Sequence, residues 1–262
     1  MEHIPQDHPR AESLRIRQKI IEGLHNNMVV EAGLIAHGRG EAFDYLIGEK
    51  TNQNAIDTMK VAVAMLLTAN HPILSVNGNV AALCSDDMVK LSEITGAQLE
   101  INLFYGKPGR IEAITNELRS RGANHVLGTK PFEESVINDL SSNRRYVDPN
   151  GIKLADIVLV PLEDGDRTEA LKNEGKIVIT IDLNPLSRTA QQADVTIVDN
   201  IIRVIPKMCE IAQSYKEQLQ QQKLSLKDLE MQISKFSNTI NLEKSLQIIS
   251  TYLESKITCD KN

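Results

Sequence analysis

Residues 73–103, ILSVNGNVAALCSDDMVKLSEITGAQLEINL, decide how the rest of the chain is read. Ile73–Val76 is a short run between Pro72 and the turn residues Asn77-Gly78, too short for a helix and apolar but for Ser75. Val80 to about Thr95 carries its apolar residues at helical spacing, and Leu99–Leu103 is a second short strand-like run, with Leu99, Ile101 and Leu103 apolar. Strands that are apolar on both faces and joined through a helix are parallel strands buried from both sides.

The same alternation continues outward. A helix is expected over Arg110–Arg121 and a strand at His125–Leu127, followed by a polar, Asn/Ser-rich connection over 128–152. Then come a strand Ile157–Val160, a helix Arg167–Asn173, a strand Ile177–Ile181 with a short helical turn, a strand Val195–Val198 and a helix from Ile201. The pattern predicts an α/β fold with a Rossmann-like, doubly wound, mostly parallel sheet. On the N-terminal side, residues 9–26 read as an amphipathic helix with Pro9 at its first position, and Ala55–Leu67 as an apolar helix stopped by Asn70-His71-Pro72. After Lys216 the composition shifts, with Gln218, Gln220, Gln221 and Gln222 clustered. Residues 224–256 read as two amphipathic helices, the second with Leu242, Leu246, Ile248, Ile249 and Leu253 as its apolar positions. Three parts are expected: N-terminal helices over 1–72, the α/β core over 73–215, and a helical appendage over 216–262 that packs on the sheet or on a second subunit.

Composition narrows the function. With no Trp and 3% aromatic residues, the core is aliphatic. No apolar run approaches the ~18–20 residues of a membrane helix, and the start Met1-Glu2-His3 has no apolar signal region. Cys84, Cys209 and Cys259 have no paired spacing, which argues against a disulfide framework or a zinc site and for a cytoplasmic protein. A net charge of −6 without a basic stripe argues against nucleic acid as a partner. There is no G-x-x-x-x-G-K-[ST], and Gly38-Arg39-Gly40 runs on to Phe43 where a dinucleotide fingerprint needs a third glycine. No nucleophile–base arrangement can be placed.

Ligands of an open parallel sheet bind beyond the carboxyl ends of its strands. Those ends carry Asn77-Gly78-Asn79, Phe104-Tyr105-Gly106, Glu163-Asp164-Gly165-Asp166-Arg167, Asp182 to Thr189, and Asp199-Asn200. The same residue types also cap helices and close turns, so any one loop is equally a cap. Arg17 lies among Leu14, Ile20 and Ile21 on the apolar stripe of its helix, with Arg10 near the stripe's edge. A guanidinium there must either snorkel to solvent or find an anion, and both an internal carboxylate and a phosphate would serve. Arg39 sits between two glycines ahead of an apolar segment, where free amides of a helix start favour an anion.

Taken together, these blocks resemble the archaeal-type 4-phosphopantoate–β-alanine ligases, also called phosphopantothenate synthetases. The resemblance covers roughly residues 3–215 and rests on Glu31 to Glu49 (EAGLIAHGRGEAFDYLIGE), Ser75 to Leu83, Glu163 to Arg167, Asp182 to Thr189, and Val198 to Ile201. It implies a Rossmann-like homodimer of coenzyme A biosynthesis that uses ATP and Mg²⁺ to join phosphopantoate to β-alanine, with AMP and pyrophosphate released. It implies ATP contacts at Arg17, Arg39, Asp182, Leu183, Asn184, Ser187, Arg188, Thr189, Asp199, Asn200 and Ile201. Asn77, Gly78 and Asn79 are then assigned to phosphopantoate, Arg39 to catalysis, and His37 or Asp44 to accepting the amine proton; no residues stand out as metal ligands. The competing expectation is a non-catalytic nucleotide-binding or sensor protein on the same scaffold.

Overall fold

The computed structural model describes residues 4–5, 7–8, 10–130 and 132–258, so Met1–His3, Pro9 as a helix start, and Cys259 lie outside the described residues. Three helices come first: α1 (Ala11–His25), α2 (Glu31–Leu46) and α3 (Gln53–Thr68). The sheet segment follows as β1 (Pro72–Val76), α4 (Gly78–Thr95), β2 (Gln98–Ile101), α5 (Arg110–Ser120) and β3 (Val126–Leu127). It continues as β4 (Ile157–Leu159), α6 (Gly165–Asn173), β5 (Ile177–Ile181), α7 (Arg188–Gln192) and β6 (Val195–Ile197). Helices α8 (Ile201–Gln220), α9 (Leu226–Ser234) and α10 (Asn238–Thr258) end the described chain.

All six strands are parallel, in the order β3-β2-β1-β4-β5-β6. The chain therefore winds outward in one direction from β1, then returns to its other side at β4. Residues of the turn type start the helices as expected: the side chains of Asn52, Asn77, Asp164, Ser187 and Asn200 each accept an amide of the first turn of α3, α4, α6, α7 and α8.

The two faces of the sheet are covered differently. Leu74, Val76, Leu99, Ile101, Leu159, Ile179 and Ile197 enter a large core with α1, α3, α4, α5 and α8. Ile73, Val158, Val160 and Val178 point the other way, into a core completed by Ala170 and Leu171 of α6 and by Ile137, Leu140, Val147 and Ile152. That corrects the reading of 128–152 as a polar connection. The segment contains a bridge from Val136 to Tyr146 and a 3-10 turn at Asn143–Arg145, and its sparse apolar residues do the work of a covering helix. Four isolated apolar side chains among Asn, Ser and Arg give no periodicity, so the sequence hides them.

The C-terminal helices also depart from expectation. The apolar stripe of α10 is only partly buried: Leu242 is covered while Leu246 and Leu253 stay more than a third exposed. The contact that fixes α10 is polar instead. Thr196 is the outward-facing residue of the edge strand β6; its amide donates to Asn238 Oδ1 at 2.9 Å and its carbonyl accepts from Asn241 Nδ2 at 2.7 Å. Asn241 Oδ1 accepts in turn from Asn54 Nδ2 and Thr58 Oγ1, both at 2.8 Å. The asparagines thus occupy the hydrogen-bonding positions of a missing seventh strand and close the edge. Asn241→Leu keeps the volume but leaves these groups unpaired in a buried place, and is expected to cost roughly 2–4 kcal/mol. A urea titration at constant m-value checks it.

Candidate functional site

The winding order reverses between β1 and β4, and the crevice between their carboxyl ends is where an open α/β sheet binds ligands. Asn77, after β1, spans it: its Nδ2 donates to the carbonyls of Pro161 and Leu162 at 3.1 and 3.3 Å, while its Oδ1 caps α4. Leu162 has a left-handed backbone with φ of 53°, a conformation that costs a side-chain-bearing residue of order 1–3 kcal/mol and is held here by Asn77. Gly78 is glycine because a Cβ would lie 2.1 Å from the Met28 carbonyl oxygen, so the 27–30 loop can cross the start of α4 only over a bare Cα.

Two hollows share this crevice. The first, about 450 Å³, lies between α2 and the ends of β4, β5 and β6, and is lined by His37, Arg39, Asp182, Asn184, Ser187 and Asn200 among others. The second, about 250 Å³, lies between α2 and the ends of β1 and β2, with Asn77, Gly78, Asn79, Arg110 and Arg144 in its wall. Ala36, Arg39, Asn79, Leu162, Glu163 and Asp164 line both. Arg39 is a cation at the junction whose side chain has no hydrogen-bond or ion-pair partner among the described residues.

Most of the residues singled out in the sequence meet here. Leu183, Arg188, Thr189 and Ile201 join those named above in the first hollow. Asp182 accepts from the Asn184 amide at 2.9 Å and from the Ser187 hydroxyl. Burial raises its pKa, opposed by those hydrogen bonds and by the Arg39 charge. The stem of Arg188 lies on Gly165, where a Cβ would come within 2.6 Å, and its guanidinium pairs with Asp166 and Glu169.

Several readings need correction. Gly38-Arg39-Gly40 is not at a helix start; it lies mid-way along α2, whose amides there are taken up by the helix. The glycine density conceals the helix in the sequence. Arg17 is not central on the buried face of α1, which runs through Ile16, Ile20 and Gly23. It stands at the flank, its side chain 40% exposed, and lines neither hollow. The internal-carboxylate alternative is the one observed: Arg17 Nε sits 3.1 and 2.9 Å from the two oxygens of Glu41. Arg10 is likewise off the stripe, exposed and 3.3 Å from the Tyr45 hydroxyl. Asp44 is buried and gripped by Arg203 and Asn200, so its lone pairs are not available to a substrate amine. Asp199 is fully buried beneath the first hollow rather than in its wall. His37 keeps a place in the wall; its Nε2 is buried without a partner among the described residues, and burial lowers its pKa, leaving a neutral imidazole at neutral pH.

Sequence reasoning missed the cations of the second hollow. Arg110 is buried and donates to the Met28 carbonyl at 3.1 and 2.7 Å and to that of Tyr105 at 2.6 Å. Arg144 pairs with Glu163 and, at 2.6 Å, with Asp164, but its Nε has no partner among the described residues. Below them Arg167 is fully buried against Glu163 and Ser75. Burial pulls Arg144 and Arg167 down to about 10, and their mutual repulsion adds to it at Arg144. A pocket that holds desolvated positive charge is built for an anion. Pro108-Gly109 before Arg110 was the available signal; Arg144 had none.

Glu100 supports this floor from behind. Its oxygens accept the amides of Asp148 and Ile152 at 2.9 and 2.5 Å, pinning the segment that carries Arg144. Burial pushes its pKa up to about 7 from 4.5. A raised folded-state pKa means that the folded chain binds the extra proton, so this contribution is fully present below pH ~4.5 and is lost as pH rises to about 7. The loss is expected to be on the order of 3 kcal/mol. It appears as the difference in urea stability between the parent and Glu100→Gln across that window; a pH-independent difference contradicts it.

The family described as phosphopantothenate/pantothenate synthetase matches residues 54–252. The 4-phosphopantoate–β-alanine ligase of Thermococcus kodakarensis is 53% identical over 227 residues, 86% of each chain. That of Thermococcus onnurineus is 56% identical over 218 residues, 83% of each, and that of Methanosarcina mazei 46% over 255 residues, 97% of each.

Proposed function

The chain belongs to the phosphopantothenate/pantothenate synthetase family, and from that premise we propose that it joins (R)-4-phosphopantoate to β-alanine at the expense of ATP. The products are 4′-phosphopantothenate, for coenzyme A biosynthesis, AMP and pyrophosphate. The observation that carries this reading is the pair of hollows meeting at Arg39 and Asn79. ATP takes the larger one, with Asp182, Asn184, Ser187, Thr189, Asn200 and Ile201 holding ribose, adenine or phosphate. Phosphopantoate takes the smaller, its anionic groups facing Arg110, Arg144 and the Asn77–Asn79 turn.

In this arrangement the phosphopantoate carboxylate and the α-phosphate of ATP meet at Arg39. The carboxylate oxygen attacks phosphorus, the bond to the β-phosphate breaks, and pyrophosphate leaves. The amine of β-alanine then attacks the acyl carbon of the phosphopantoyl-adenylate, AMP leaves, and the amine proton passes to a base, for which His37 is the available neutral acceptor. No protein nucleophile is required, in keeping with a site of arginines and amides. Arg39 supplies charge where it develops between two anions.

No group of three or more His, Cys, Asp or Glu among the described residues makes a metal cage. That donor set fits Mg²⁺ carried in on the ATP phosphates, which needs only one or two carboxylates; Asp164 and Asp182 in the first hollow are the ones placed to serve. The ion's contribution is to offset phosphate charge. Cytoplasmic location and a homodimer belong to the same reading, the dimer being checked by sedimentation.

The test is the full reaction with purified protein, ATP, Mg²⁺, phosphopantoate and β-alanine, followed by mass spectrometry. Equal amounts of AMP and phosphopantothenate are expected, and little net AMP when β-alanine is left out. ATP binding with no release of pyrophosphate in the full mixture would instead mark a nucleotide sensor.

A further inference from the structure

Helix α2 forms one wall of both hollows, yet it is barely packed. Asp44 is its one buried residue, and Ile35 is 75% exposed. Its N-terminal half is tied down by the Gly33 carbonyl, which accepts from Asn79 Nδ2 at 2.9 Å, and by Leu34 against the core. Its C-terminal half, which carries Arg39, Glu41 and Phe43, is held at its end by buried Ile47 and by α10, and along its length by charged contacts. The Arg17–Glu41 pair is partly solvated, and such pairs contribute about 0–1 kcal/mol.

The other contact is of a different kind. Asp44 accepts from Arg203 Nη1 at 3.1 Å, Arg203 Nη2 at 2.5 Å and Asn200 Nδ2 at 2.7 Å. The same guanidinium donates through Nε at 2.9 Å and Nη2 at 2.5 Å to Asp199, whose second oxygen accepts from Thr51 Oγ1 at 2.6 Å. Asp199 is fully buried and Asp44 nearly so. Arg203 lies in the first turn of α8, where the helix dipole disfavours a cation. A local rule broken in favour of a buried network marks a place where position is being specified. Asn200, at the centre of the network, caps α8 and also lines the first hollow.

We propose that Arg203 is a positioning residue for the nucleotide hollow: acting through Asp44, it sets the stand of the C-terminal half of α2, and so of Arg39, opposite the Asp182–Thr189 loop. The inference rests on the assignment of ATP to that hollow. Arg203 itself lines neither hollow. Lysine in its place reaches only one of the two carboxylates, because it lacks the planar fork. Asparagine in place of Asp44 keeps the shape and one acceptor oxygen but removes the charge.

Steady-state kinetics and melting curves with and without ATP, on full-length Arg203→Lys and Asp44→Asn, test this. Both variants are expected to raise the KM for ATP by about 10- to 100-fold, the usual scale for a displaced positioning group. The KM for phosphopantoate stays within about twofold, since Arg110 and Arg144, which face its anionic groups, lie off α2, and the rise in melting temperature on adding ATP shrinks. A purely structural role moves both KM values together, or neither, and overturns the proposal. If Arg203→Lys does not fold, Asp44→Asn decides alone. If the parent protein gives no AMP in the full reaction, the ligase reading falls, while the ATP-dependent melting shift still tests the positioning role.

Discussion

Arg39→Ala is expected to lower kcat/KM by about 10²–10³-fold, the usual loss when one preorganised charge is removed from a transition state, with little change in stability. Arg39 lines both hollows and has no side-chain partner among the described residues, so alanine breaks no contact and suits a helix interior. The loss is expected in kcat and in the KM for ATP, because Arg39 stands in the hollow assigned to the nucleotide and its charge matters most when carboxylate and α-phosphate are forced together. Arg39→Lys restores the charge without the two-pronged geometry and recovers only part of the rate. The measurements are AMP formation under saturating substrates and a melting curve of each variant. Unchanged turnover with alanine would remove Arg39 from the chemistry and, with it, the meeting point assigned to the two substrates.

How much of this was legible beforehand depended on whether a residue's role was local. Ile73–Val76 and Ile177–Ile181 announce themselves as buried parallel strands because each is apolar but for one hydroxyl residue, Ser75 or Thr180, and the structure has them within one residue of the expected limits. The loops after them could be assigned to one sheet edge by topology alone, and Asn77, Asp182 and Asn184 do converge there. Residues whose role depends on long-range pairing were not legible. Asp44 reads as an accessible acid beside Arg39, but Arg203, 159 positions away, takes its oxygens. Arg17 reads as needing an anion, carboxylate or phosphate, and only the fold brings Glu41 of the next helix against it. Arg110 and Arg144 are ordinary surface residues in the sequence; burial by the 27–30 loop and by the hidden core of the 132–155 segment makes them a pocket floor. Composition and periodicity report what a residue prefers, and these four depart from preference because another part of the chain supplies the partner.

Arg144→Met is the second large effect, and its signature is a loss of discrimination. In the parent protein the Arg144 guanidinium is buried in the wall of the smaller hollow, with Arg110 beside it and the Phe104 ring 5.7 Å away. Glu163 neutralises only part of this charge because it also serves Arg167. A buried Nε without a partner among the described residues is a cost to the free protein that a bound phosphate oxygen relieves. Methionine fills the space without needing an anion. The KM for phosphopantoate is therefore expected to rise roughly 100-fold, the equivalent of one charged hydrogen-bonding group worth about 2.7 kcal/mol, while the KM for ATP holds. Pantoate, which lacks the phosphate, gains no such partner in the parent protein, so its kcat/KM is expected to change little, and the ratio of kcat/KM for the two acids to fall by the same factor. Stability also falls, by up to ~3 kcal/mol, because Asp164 loses its partner and Glu163 keeps only Arg167. The two consequences separate by measurement: urea unfolding of the free variant reads the second, and the ratio of kcat/KM for the two acids reads the first. If that ratio is unchanged in a folded Arg144→Met protein, the phosphate does not sit on Arg144, and the smaller hollow takes phosphopantoate in another orientation or not at all.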